Sequence, residues 1–161
     1  MQISWKWLNE LVDLSSLKGP KKGPDELAEI LTDRGIEVEE VRPLALGFEK
    51  VVTVKILERN RHPDADRLSL CKVTTGSGEP LQIVCGAQNM KAGDIVALAQ
   101  IGADLPNGLK ITKSKIRGVE SFGMLCSEEE LKLRDKSEGI LILPASTKPG
   151  QPLAEVLGLD D

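Results

Sequence analysis

Between Lys110 and Ser127 the chain reads KITKSKIRGVESFGMLCS, and Lys113, Lys115 and Arg117 share parity within it. Alternate residues of an extended strand project from one face, so these three side chains would form a row of cations spaced to meet successive phosphates. Lysines also guard strand edges against aggregation, and charge alone does not choose between the two readings. The net charge of −4 conceals this region. Residues 51–125 carry 10 basic and 7 acidic side chains, whereas 1–50 carry 7 and 10, and 126–161 carry 4 and 8. A locally basic middle is therefore expected inside an acidic whole.

Other chemistry is poorly provided for. The sequence has no phosphate-cradling Gly-x-x-x-x-Gly-Lys-Ser/Thr loop, no Gly-x-Ser-x-Gly elbow and no His-Glu-x-x-His pair, so no catalytic residue is assigned. The one histidine, His62, stands before Pro63 and reads as a turn or surface residue rather than a general base. Asp64 and Asp66 read as a hydrogen-bonded turn rather than an ion site. Cys71, Cys85 and Cys126 never form a Cys-x-x-Cys pair, and a zinc site would need all three together with His62, so no metal is expected. An odd cysteine count, a start without a secretory hydrophobic core and no run of roughly 20 apolar residues lead to the expectation of a cytoplasmic protein without a membrane span. With two Trp, two Phe and no Tyr, a face built mainly from stacked aromatics is not expected, and contacts to a nucleic acid would have to be polar.

The elements that would carry these residues change character along the chain. Ser4 caps a helix with Trp5 nearby and Leu8, Leu11 and Val12 at helical spacing. Gly19–Gly23 reads as a loop, and Pro24-Asp25-Glu26 opens a second helix that stops at Gly35. Strands follow at Val51–Leu57, Leu68–Thr74, Leu81–Cys85, Ile95–Ala99 and Lys110–Ile116, with turns between them. Glu128–Leu133 could start a helix, Gly139–Pro144 reads as a buried strand, and Leu153–Leu157 as a last helix. Five short strands without long intervening helices point to a small closed or partly closed barrel, because an open sheet of this size would leave two bare edges.

Four ordered stretches then carry a resemblance: His62-Pro63-Asp64-Ala65-Asp66-Arg67-Leu68, Gln82–Asn89, Gly102–Pro106 and Ile116–Ser127. Together they resemble the tRNA-binding OB-fold module of several synthetases and tRNA-binding proteins. The flanks, Ser4–Leu14, Arg34–Glu39 and Gly139–Pro144, are similar to the amino-terminal end of the bacterial phenylalanyl-tRNA synthetase beta subunit. Two positions depart from that pattern: Gln88 stands where the family commonly has proline, and Lys132 where it commonly has glycine.

The resemblance implies a mainly β fold with flanking helices (α+β), an OB-fold barrel over 41–144 inserted into a small, incomplete α/β domain made of 1–40 and a return segment 145–161. It implies a piece of a longer ligase, contributing tRNA and inter-domain contacts to the ATP-dependent joining of phenylalanine to tRNA. No cofactor is expected in this piece, ATP and magnesium belonging to the whole enzyme. The expected partners are tRNA, the remainder of the beta subunit and the alpha subunit, in a heterotetramer. On this reading Lys110, Lys113, Lys115 and Arg117 contact phosphates, with Arg59 and Arg61 secondary. Asn89, Ser121 and the backbone at Met124 are polar or shape-reading neighbours, although Ser121 could equally serve only to shape the barrel's closing turn. The alternatives are a freestanding OB-fold tRNA-binding or RNA-chaperone protein and a purely structural domain.

Overall fold

The computed structural model describes residues 1–17, 23–43 and 47–159, which fall into two compact units dividing near residue 45. Except for Gly23, the loop expected at 19–23 lies outside the described residues.

The first unit is helical. Helix α1 (Trp5–Leu11) starts where Ser4 Oγ accepts the Trp7 N–H at 3.0 Å, and a single 3-10 turn (Leu14–Ser16) is capped in the same way by Asp13. Helix α2 (Pro24–Asp33) opens on proline with Asp25 and Glu26 in its first turn, where acids complement the exposed N–H groups. It ends at Gly35, φ 89°, with Ile36 N–H bonded to Leu31 C=O at 2.9 Å and Gly35 N–H to Thr32 C=O at 3.0 Å. Those two bonds and a left-handed glycine constitute a Schellman motif, at the glycine where the sequence stops the helix.

The second unit is a nearly closed barrel. Strands β1 (Val51–His62), β2 (Ala65–Thr74), β3 (Leu81–Cys85), β4 (Ile95–Gln100) and β7 (Gly123–Leu125) form one antiparallel sheet in the order β3-β2-β1-β4-β7. Strand β8 (Ile142–Leu143) adds to β4, while β5 (Ser114–Ile116) and β6 (Val119–Ser121) make a separate hairpin. The ends of the sheet meet where Phe122 N–H bonds Gln82 C=O at 2.9 Å and Val84 N–H bonds Ser121 Oγ at 3.0 Å. All six β4 residues are at least partly buried because both faces are covered: Val96 and Leu98 pack inward with Ile56, Val73 and Ile83, and Ile95, Ala97 and Ala99 pack outward with Phe48, Leu105 and Leu153. Leu153 opens α3 (Leu153–Val156). The segment before it is held by fully buried Thr53, whose hydroxyl donates to Lys148 C=O at 2.7 Å and accepts from Gln151 N–H at 3.0 Å.

Several expected boundaries are corrected. β1 and β2 run well past the predicted strand ends, up to a tight turn at Pro63 and Asp64, so His62 ends a strand and is only 2% exposed rather than at the surface. The strand expected at 110–116 shrinks to Ser114–Ile116, because Ile111 turns into the core and pairs with Gly102 and Ala103. Glu128–Leu133 makes turns and no helix. Ser127 and Glu130 form a reciprocal capping box at 3.2 and 2.7 Å, but Lys132 lies at φ 53°, a conformation that favours glycine, and ends the turn. The strand expected at 139–144 is cut to two residues because Asn89 occupies Ile140, its amide donating to Ile140 C=O at 3.0 Å and accepting Ile140 N–H at 3.1 Å. Gly139, φ 99°, abuts that amide so closely that a Cβ there would overlap it. Among the described residues no helix is long and apolar enough to cross a membrane.

Candidate nucleic-acid interface

Two hairpins carry most of the candidate cations. The first is the far end of the β1–β2 ribbon. A register shift between Ile56 and Glu58 resets the strand, after which Arg59 stands opposite Cys71 and Arg61 opposite Ser69. Cross-strand partners share a face, so both arginines lie on the side that Cys71 and Val73 direct into the core, beyond the point where the barrel fills it. Arg67, two residues before Ser69, shares that face by strand parity and joins the sites the sequence suggested. The signal that could have found it is its position in the His62–Leu68 motif.

Arg59 is fixed by its neighbours. Its Nε donates to Ser69 Oγ at 3.2 Å and an Nη donates to Gln88 Oε1 at 2.8 Å, while Gln88 Nε2 donates to Arg67 C=O at 3.0 Å. Proline, which the resemblance would place at position 88, could make neither bond. Arg61 is free to rearrange: its 3.6 Å contact with Asp66 is between exposed groups, worth under about 1 kcal/mol.

The second hairpin is β5–β6, and it corrects the predicted row. Lys115 is in the strand opposite Glu120, but Arg117 is not: with Gly118 it forms a two-residue connection in which both φ values are positive, 51° and 84°. That is the pattern of a type I′ turn, in which arginine is an unusual occupant. Arg117 thus projects from the hairpin tip instead of sharing one strand face with Lys113 and Lys115. Lys113 precedes the strand, 3.1 Å from Glu120 and 4.9 Å from the centre of the Phe122 ring. Lys110 stands apart on the 102–111 loop, bridged through its backbone to Asp104.

The polar candidates have work inside the fold. Ser121 is 1% exposed, and its hydroxyl accepts from Val84 N–H and donates to Gly123 C=O at 3.0 Å. Asn89 holds Ile140, as described above. Met124 pairs with Ala99 across β4 and β7 and is half-buried. The cysteines are all buried, and burial pushes the Cys71 thiol up to about 11 and Cys126 up to about 12. Among the described residues no cluster of His, Cys, Asp or Glu could hold a metal ion.

Set beside known proteins, residues 51–152 match the family model described as "Putative tRNA binding domain". Over the whole chain it is 54% identical to a phenylalanine–tRNA ligase beta subunit of Geobacter sulfurreducens, 53% to that of Geobacter metallireducens and 50% to that of Anaeromyxobacter dehalogenans. The alignment covers 100% of this chain and 19% of each relative, so the chain spans about a fifth of the length of the curated relatives it matches. A looser likeness, TM-score 0.47 at 18% identity, links 70% of the chain to 96% of a chain described as a MetRS related protein from Pyrococcus horikoshii.

Proposed function

Because the chain belongs to the tRNA-binding domain family, we propose that it serves a phenylalanine–tRNA ligase beta subunit by holding tRNA while other parts of the enzyme do the chemistry. The observation that carries this reading is an alignment, at 50% identity or more overall, that extends over residues 1–50 and 153–161, outside the segment matched by the family model. A freestanding module would have no need of those flanks. The contacts are phosphates met by Lys113, Lys115 and Arg117 on one hairpin and by Arg59, Arg61 and Arg67 on the other, with Lys110 more remote. Neutralising phosphates releases counterions and supplies affinity without reading sequence. Asn89, Ser121 and Met124 support the site by shaping the barrel that presents it.

ATP, magnesium and phenylalanine are handled by the remainder of the ligase, and the alpha subunit completes a heterotetramer in the cytoplasm. Residues 1–40 contribute to a second small domain. The exposed apolar side chains of α1, Trp7 at 55% and Leu11 at 64%, support a covering role for further chain there.

The test is kinetic, on the whole ligase. Lys115→Glu with Arg117→Glu should raise the KM for tRNA while leaving phenylalanine-dependent ATP–pyrophosphate exchange unchanged. An unchanged KM for tRNA overturns the reading.

A further inference from the structure

His62 lies at the end of β1, 2% exposed, and its two ring nitrogens face two different turns. Nδ1 is 3.0 Å from the N–H of Asp64 in the β1–β2 turn, a group that can only donate. Nδ1 must therefore accept, and the ring hydrogen sits on Nε2. Nε2 is 3.0 Å from the carbonyl oxygen of Ile116, which can only accept, so the second bond runs from Nε2–H to Ile116. Both nitrogens are satisfied by one tautomer.

His62 and Ile116 are 54 residues apart in sequence, and the two bonded groups, at Asp64 and Ile116, belong to different cationic hairpins. Ile116 is the residue before Arg117 in the β5–β6 turn. Among the described residues strand β5 pairs with β6 and makes no ladder with the six-stranded sheet, so the imidazole is a direct tie from the β1–β2 end to the strand that carries Lys115. The contact is part-buried, so losing the imidazole donor removes a hydrogen bond that helps seat the hairpin against the β1–β2 turn.

We propose that His62 is a positioning residue for RNA: it sets the β5–β6 hairpin against the β1–β2 ribbon so that Lys115 and Arg117 meet the same tRNA backbone segment as Arg61 and Arg67. The inference rests on the tRNA-holding function proposed above. It assigns His62 no contact with RNA. Its effect is on how many phosphates the chain neutralises at once.

Two replacements separate this from ordinary structural support. The side-chain amide of His62→Gln reaches the place of Nε2 and keeps a donor for Ile116, whereas the shorter His62→Asn reaches only the place of Nδ1. Titrating tRNA into this chain over a salt series, His62→Gln should keep the wild-type slope of log affinity against log salt. His62→Asn should lose about two from the slope, one per phosphate released by Lys115 and Arg117. Arg117→Ala should weaken wild-type binding by about fivefold, the scale of one exposed charge contact, and add nothing to His62→Asn. If Asn and Gln variants keep the same slope, or Arg117→Ala costs as much in the His62→Asn background as in the wild type, the positioning role is wrong while tRNA binding stands. If the wild-type chain itself binds no tRNA, the function and this inference fall together.

Discussion

At Arg117 the backbone and the side chain want different things. A type I′ turn favours Asn-Gly, because asparagine tolerates a positive φ that an ordinary side chain adopts only with strain. Arg117 holds φ 51° at an exposed tip, so the position is expected to give up stability in exchange for a cation. Arg117→Asn should therefore raise the melting temperature and weaken tRNA binding together; a variant that is both less stable and equally tight in binding would refute the account of that residue. The cations themselves were legible in the sequence, since charge is a property of residue type. Their arrangement was not, because one left-handed residue at Arg117 takes the third member of an apparent strand row into a turn. His62 differs from its sequence reading for a related reason: a histidine before proline reads as a turn or surface residue, and the partners that satisfy its buried ring, Asp64 N–H and Ile116 C=O, include one 54 residues away.

At the scale of elements, the strands that define the barrel were legible as β-branched runs, and β3 (Leu81–Cys85) falls where expected. The misses lie where a distant side chain decides. Asn89 truncates the strand before Leu143, and the Lys132 backbone ends a turn that Ser127 and Glu130 begin as a helix would. The reach of β1 and β2 beyond the barrel has no period-2 burial signal, because past the barrel their core-side positions are arginines. The cysteines follow from the elements they sit on. Burial raises the thiols of Cys71 and Cys126 from the ordinary value of 9.0 to about 11 and about 12. The unfolded chain then releases these protons first, so their contribution is intact below pH ~9 and declines as pH rises toward 12. An alkylating reagent at pH 8 should leave all three thiols unmodified in the native protein and modify them on unfolding. Rapid native labelling of Cys71 or Cys126 would contradict the packing.

For the whole molecule, the balance of charge governs how RNA is met. The chain is acidic overall, yet its basic excess is gathered in 51–125, and the two hairpins concentrate six of those cations. A long-range attraction is opposed by the acidic remainder, so binding depends on close phosphate contacts and should be weak, roughly micromolar or weaker at physiological salt. The most direct measurement is a tRNA titration at several salt concentrations, comparing the wild-type chain with Lys113→Glu/Lys115→Glu/Arg117→Glu and with a control, Lys91→Glu/Lys136→Glu/Lys148→Glu, on other exposed loops. The wild type should lose affinity steeply with salt, the hairpin triple should lose measurable binding with its melting temperature within the range of surface changes of ~0.5 kcal/mol, and the control should retain most of its affinity. Equal losses from the two triples would show that net charge alone matters, and unchanged binding by the hairpin triple would leave its cations as guards of a strand edge with no part in holding RNA.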